Sequence, residues 1–243
     1  MSIPRRLAPA EVDAYRRDGF VVARGLLDPA EVQSWMRETD RLWASLPVDR
    51  SNARIHWRGQ AGGGEVPDRI DPILDISPLF AALARDSRLA GCAGQLLDGT
   101  AVPFRSKVIT KRPGTLGYGL HQDYPYWEHL GLSPEAYVNV IVAFDRFDAA
   151  SGSPELFPGL HHGRVPPPAA NPFDADESRV EGRPSVILEL GGGDVAFFQA
   201  LTPHRSGPNR AEHPRRGLFL TYVPSRYPEL EARYVTERVD RER

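Results

Sequence analysis

The sequence predicts a mainly β fold with its helices gathered at the N-terminal end, an α+β arrangement whose strands form a sandwich or barrel. Three observations carry this. Apolar residues recur at helical spacing up to about residue 98. From about residue 101 they fall instead into short runs divided by Gly and Pro. The two patterns do not alternate along the chain, as a βαβ fold would require. With 243 residues and 41% hydrophobic content, a single domain with one sizeable core is expected.

Taken in order, Ala8–Asp18 reads as a short helix with Val12, Tyr15 and Arg16 at helical spacing, ended by Gly19. Phe20–Arg24 is then a short strand. Asp28-Pro29 looks like an N-cap followed by proline at the first helical position, opening a helix to about Leu46 that turns Val32, Trp35, Met36, Leu42 and Trp43 inwards. Residues 47–67 lose all periodicity, and with Asn52, His56, Trp57, Arg58 and three consecutive glycines at Gly62–Gly64 they are expected to be a mobile loop, of the kind used as a lid. Ser77–Leu97 returns to helix in two segments divided near Asp86-Ser87.

The β-rich part opens with Phe104–Thr110, which places Arg105, Lys107 and Ile109 on one face, and is closed by Lys111-Arg112-Pro113-Gly114, with Lys111 expected at a solvated edge. Ala136–Phe144 is an apolar strand carrying Asn139. Gly152–Phe157, Ser185–Leu190, Asp194–Gln199 and Arg216–Val223 complete the set, and the proline-rich residues 164–183 are expected to be a surface excursion.

Composition excludes several function classes. There are 30 basic and 32 acidic residues, and the basic ones are not clustered along the chain, so neither a nucleic-acid platform nor a polybasic membrane contact is expected. Cys92 is the single cysteine, which rules out an internal disulfide and a cysteine-rich zinc site. No apolar run approaches a membrane span, and the N-terminus lacks a signal-peptide core. A soluble, cytoplasmic enzyme-sized domain is the expectation; the oligomeric state is not encoded in any visible pattern.

The chemistry concentrates in Gly119-Leu120-His121-Gln122-Asp123-Tyr124-Pro125-Tyr126-Trp127. Read as a strand, His121 and Asp123 share one face. An imidazole and a carboxylate are two thirds of the facial triad that holds non-heme Fe(II) with positions left open. His204, in Thr202-Pro203-His204-Arg205-Ser206, can supply the missing imidazole from a distant strand. An arginine at the start of the following strand, Arg215 or its neighbour Arg216, can grip the far end of a dicarboxylate, and Ser206 can donate a second hydrogen bond to it. Strand alternation lets only one arginine face inwards, and spacing favours Arg215.

The set His121-Gln122-Asp123, Pro158-Gly159-Leu160-His161, Gly193-Asp194-Val195 and His204-Arg205-Ser206-Gly207-Pro208-Asn209 with Arg215 resembles the phytanoyl-CoA dioxygenase family, as does the opening Asp18-Gly19-Phe20-Val21-Val22. The resemblance spans about Val12 to Tyr222 and is strongest from Lys107 to Arg216. It implies a single oxygenase domain over residues 1–243, with a helical part at about 8–98 and a double-stranded β-helix (jelly-roll) core at about 101–224. It implies Fe(II) held by His121, Asp123 and His204, 2-oxoglutarate bound through its 5-carboxylate by Arg215 with Ser206, Lys107 lining the cosubstrate pocket, and O2 as oxidant. Many members have glycine after the distal histidine; this chain has Arg205.

The expected reaction is oxidation of a small metabolite or natural-product intermediate, with succinate and CO2 released. Amino acid derivatives and phosphonates are candidate substrates, whereas an acyl-CoA is disfavoured because no basic groove is visible. Related halogenases replace the carboxylate ligand with a small residue, so Asp123 favours hydroxylation, desaturation or ring closure. Asn139, Tyr126, Trp127 and Arg205 are candidate substrate contacts. The competing reading is a jelly-roll isomerase or lyase that uses the same metal site without 2-oxoglutarate; Arg215 and Ser206 discriminate against it, since such chemistry needs no dicarboxylate anchor.

Overall fold

The computed structural model describes residues 6–168 and 171–239. The helical part begins with α1 (Pro9–Asp18), ended by Gly19 in the left-handed region at φ 85°, where any side chain would also run into the imidazole of His161. After β1 (Phe20–Ala23) comes α2 (Pro29–Ser45). Its start is fixed chemically: the Asp28 carboxylate accepts from the Ala30 N–H, and Glu31 reaches back to accept from the Asp28 N–H.

The stretch expected to be a mobile loop is instead an antiparallel hairpin, β2 (Ile55–Gly59) and β3 (Glu65–Ile70), with β3 added to the edge of the main sheet. The strands are short and their apolar face is sparse: Ile55, Trp57 and Ile70 reach the core, while Asp68 and Pro67 interrupt the alternation of β3. The register slips beside Pro67, the kind of irregularity at which a strand tolerates proline. Two helices follow as expected, α3 (Pro78–Ala84) and α4 (Ser87–Leu96).

Eight strands then form the core: β4 (Ala101–Lys111), β5 (Tyr118–His121), β6 (Val138–Ala143), β7 (Pro154–Leu156), β8 (Val186–Ile187), β9 (Val195–Gln199), β10 (His204–Ser206) and β11 (Arg215–Pro224). In chain order they cross between a seven-stranded sheet, β1-β9-β6-β11-β4-β3-β2, and a four-stranded sheet, β5-β10-β7-β8. All pairings are antiparallel, and the result is a double-stranded β-helix. A final helix, α5 (Glu229–Val239), lies against β4 and was not anticipated from the sequence.

Period-two alternation gives the large sheet two different faces. Val138, Val140 and Val142 of β6, and Leu218 and Leu220 of β11, join Trp35, Phe80 and Leu83 in the core under the helices. Each large apolar side chain buried there contributes roughly 1.5–3 kcal/mol. The face between the sheets is thereby released from carrying the whole core: Ile141, Ala143 and Phe198 close one end of it, and polar residues occupy the rest. The proline-rich excursion is not merely superficial. The Ala175 N–H donates to the Leu120 carbonyl and Asp174 pairs with His121, so the segment covers the free edge of β5.

Candidate active site

His121 ends β5 and lies directly opposite His204, the first residue of β10, so backbone pairing sets the two imidazoles side by side with centroids 4.2 Å apart. Asp123 is not on the strand. The chain turns at Gln122, and Asp123 sits in αR geometry at the start of a 3-10 turn, Tyr124–Tyr126, with its N–H and that of Tyr124 both bonded to the Ala200 carbonyl. The expected strand periodicity therefore fails here, and it is the turn that swings the carboxylate round to the histidines. One ligand atom from each of His121, Asp123 and His204 lies within 4.8 Å of the others.

The hydrogen bonds around this trio decide its chemistry. Nδ1 of His121 lies 2.8 Å from the Gly119 carbonyl, and Nδ1 of His204 lies 3.0 Å from the Thr202 carbonyl. A carbonyl only accepts, so each Nδ1 carries the proton and each Nε2 presents a lone pair. Burial, aided by His204, pushes His121 down to about 3, which keeps the ring neutral. For Asp123 burial acts to raise the pKa, but the histidines, Lys107 and Arg105 outweigh it and hold the carboxyl below its ordinary value. Two imidazoles, each with Nδ1 on a carbonyl, converge with one carboxylate that Asn139 bonds and Arg105 approaches at 3.8 Å, a donor set that fits Fe(II).

Asn139, expected as a substrate contact, lines the inner chamber with both ends of its amide engaged by the protein. Its Nδ2 donates to Asp123 Oδ2 at 3.0 Å, while its Oδ1 accepts from Thr221 Oγ at 2.9 Å, so both ends of the amide are used to aim the carboxylate. Arg205, likewise expected as a substrate contact, lines the chamber with its guanidinium bonded to Glu155 and Glu177 at 2.7 and 2.5 Å. Trp127 is buried among Phe104 and Tyr137 and acts as packing beneath the cavity mouth. Tyr126 stands exposed at the rim, edge-on to His121 and stacked on Phe173 of the proline-rich excursion. His161 bonds the Arg16 carbonyl and tethers α1, and is not part of the trio.

Alternation along β11 separates the paired arginines. Arg216 points to the helices and is bound by Asp145 and Asp40. Arg215 points between the sheets, is 2% exposed, and has Nε and one terminal nitrogen buried with no acceptor. Burial lowers it to about 10, still charged at neutral pH. Ser206 lines the same chamber; its Oγ accepts from the Tyr118 N–H at 3.2 Å and, when Lys111 is an ammonium, from Nζ at 3.1 Å, which leaves its own proton to donate. Lys107 also lines the chamber, its ammonium 5.6 Å from the Phe219 ring and driven well below its ordinary pKa by burial and by Arg105.

Lys111, expected at a solvated edge, is fully buried at the end of β4, held by Ser206 and by the Gly152 and Gly207 carbonyls. Its apolar-free surroundings in sequence resemble a strand terminator, so only the three-dimensional pairing with β11 reveals it. The inner chamber opens past Lys107, Tyr118, His121 and Asp123 into an outer one of about 810 Å³, walled by the β2–β3 hairpin, the 3-10 turn and α5. Basic residues scattered along the sequence meet here: Arg58, Arg69, Arg105, Lys107 and Arg238 all line it.

Comparison with known proteins agrees with this geometry. The phytanoyl-CoA dioxygenase (PhyH) family model matches residues 15–217. Methylphosphonate hydroxylase of Gimesia maris is 27% identical over 233 residues, covering 96% of this chain and 86% of that protein. Ectoine dioxygenase of Streptomyces coelicolor is 26% identical over 238 residues, with 90% and 78% covered. Among solved structures, the non-heme alpha ketoglutarate dependent epimerase SnoN from nogalamycin biosynthesis superposes with a TM-score of 0.74 at 25% identity, covering 89% of this chain and 82% of that one. EctD from S. alaskensis with 2-oxoglutarate and 5-hydroxyectoine gives 0.73 at 22%, covering 90% and 76%, a likeness of fold. Among the described residues no helix is long and apolar enough to cross a membrane. The chain belongs to the phytanoyl-CoA dioxygenase family, enzymes that use non-heme iron, 2-oxoglutarate and O2.

Proposed function

We propose that the chain acts as one oxygenase domain that hydroxylates a small molecule, with His121, Asp123 and His204 holding Fe(II) and Arg215 and Ser206 holding the 5-carboxylate of 2-oxoglutarate. The observation that carries this reading is the convergence of two Nε2 lone pairs and one carboxylate in the same chamber as a buried guanidinium that lacks an acceptor. Iron and 2-oxoglutarate supply, when bound, the activation of O2: one oxygen atom goes to the substrate C–H as hydroxyl and the other to succinate, with CO2 lost.

The protein's own part is positional. The two Nδ1–H bonds to carbonyls fix ring orientation and tautomer, and Asn139 keeps Asp123 aimed. Arg215 offers a dicarboxylate a charged, planar grip, and Ser206 adds one proton donor. Ile109, Ile141 and Phe219 make the remaining wall of the inner chamber apolar, which excludes water from the reacting carbon. The reading without 2-oxoglutarate leaves Arg215 and the free Ser206 proton unexplained. Likeness to the epimerase SnoN keeps stereochemical inversion as a second outcome of the same site.

The test is spectroscopic. Anaerobic addition of Fe(II) and 2-oxoglutarate to apoprotein is expected to give a visible metal-to-ligand charge-transfer band, weakened in Arg215→Ala. Absence of the band in the folded wild type rejects the assignment. With a turnover substrate in hand, product mass separates hydroxylation, which adds one oxygen atom, from inversion, which adds none.

A further inference from the structure

The outer chamber has a charge imbalance that the proposed reaction does not use. Arg58 from β2, Arg69 from β3 and Arg238 from α5 line it, and each has a buried Nε–H with no acceptor. Arg58 lies flat over the Tyr118 ring at 3.7 Å, a contact that orients the guanidinium without neutralising it. Arg69 and Arg238 share the single carboxylate of Asp71 with Arg105, at 3.8, 3.6 and 3.5 Å, too far for good hydrogen bonds. Asp71 is itself fully buried and spends one oxygen on the Tyr234 hydroxyl at 2.6 Å. One acid thus serves three guanidinium groups, of which Arg105 alone also approaches a second, Asp123, at 3.8 Å. Other acids at the mouth are committed elsewhere: Glu128 to Arg164, and Glu237 to Arg233.

Buried donors without acceptors are rare in folded proteins, and three arginines that each carry one line the same cavity, a concentration of under-neutralised cations that suits an anion. The geometry also speaks to its shape. A planar carboxylate is satisfied by one arginine fork, whereas here the donors arrive from three separate elements. A tetrahedral group with three equivalent oxygens can answer all three.

We propose that the substrate of this oxygenase carries a phosphonate or phosphate group, bound in the outer chamber by Arg58, Arg69 and Arg238 so that its carbon chain extends inwards past His121. The assignment rests on the oxygenase reading above, and the test separates the two.

Methylphosphonate, inorganic phosphate and acetate are titrated calorimetrically into the anaerobic protein loaded with Fe(II) and 2-oxoglutarate, with the charge-transfer band recorded in the same sample. Methylphosphonate and phosphate are expected to bind at least tenfold more tightly than acetate. Arg58→Gln and Arg238→Gln should each weaken methylphosphonate about tenfold or more while the band is kept, and Arg58→Lys should recover part of the loss. Arg58 has no contact with Asp71, and of the two arginines beside that acid that line the anion site Arg238 is tested rather than Arg69 because its side chain is the more exposed, 38% against 15%. A missing band rejects the oxygenase reading instead. A normal band with equal binding of acetate, or with methylphosphonate affinity unchanged in both Gln variants, overturns the phosphonate or phosphate assignment.

Discussion

The inner and outer chambers share His121 and Asp123 but are built on different rules. Inside, the histidines, Asp123 and Ser206 are each tied down by core strands and their turns: Nδ1 protons to carbonyls two residues back, Asp123 to Asn139, Ser206 to Tyr118 and Lys111. Outside, the walls are additions to the β-helix, a hairpin on one sheet edge and a C-terminal helix, and their cations share too few partners. Groups that perform constant chemistry are pre-organised by elements that cannot move independently, while groups that select a substrate sit on appendages that can change without disturbing the core.

The largest expected effect breaks the inner chamber outright. Asp123→Ala should lose stoichiometric iron and all turnover, read by metal analysis and succinate formation; retained iron would remove Asp123 from the ligand set. Next, Arg215→Ala should weaken 2-oxoglutarate about 30-fold or more, the equivalent of about 2 kcal/mol for a buried pair left half-made. Arg216→Ala, by contrast, should leave 2-oxoglutarate affinity alone and lower the melting temperature, since its partners are Asp145 and Asp40. Equal effects of the two on 2-oxoglutarate would dissolve the inward–outward distinction. Asn139→Leu should reduce iron affinity by about 10–100-fold, as loss of a supporting partner does; an unchanged affinity with weakened substrate binding would return Asn139 to the substrate side.

Lys111 sharpens the comparison through pH. Burial, with Arg215 adding to it, pushes its ammonium down to about 6, so it is mostly neutral at pH 7.5 in the free protein. A carboxylate arriving beside Ser206 favours the charged form and raises that pKa. Binding then takes up a proton, and affinity falls as pH rises above about 6, by at most about tenfold per unit. Calorimetry in buffers of different ionisation heat should detect the uptake, and Lys111→Met should abolish it; no uptake in wild type would mean that Lys111 is structural only. The smallest effect is reserved for the rim: Tyr126→Ala should raise substrate KM a few-fold and leave 2-oxoglutarate binding untouched.

Legibility from sequence followed how local the determining physics is. Arg215 and Arg216 could be told apart because alternation along a strand is a local rule, and the β11 register obeys it. The helices under the large sheet were equally plain, since Asp28, Pro29 and the apolar stripe of α2 lie close together in the chain. The hairpin was hidden because its strands are short, slip register beside Pro67 and flank a run of glycines, while its pairing with β4 joins residues far apart in the chain. Lys111 was misread for a related reason: its burial depends on carbonyls of Gly152 and Gly207, far along the chain. The cationic wall was invisible for the strongest version of that reason, being assembled from β2, β3, β4 and α5 with no two members adjacent in sequence. Asp123 reached its expected neighbours by a turn, not by the strand geometry that first suggested it.

β10 is only three residues long, and His204 and Ser206 are its two ends. With strand rise fixed, side chains two apart on one face are separated by ~6.7 Å, whatever the surrounding loops do. Under the proposed assignment one end of the strand faces the chelated keto acid and the other its distal carboxylate. The strand is then a ruler. Keto diacids one methylene shorter or longer are therefore expected to bind less well than 2-oxoglutarate, because the spacing of His204 and Ser206 is set by the backbone rather than by any single contact.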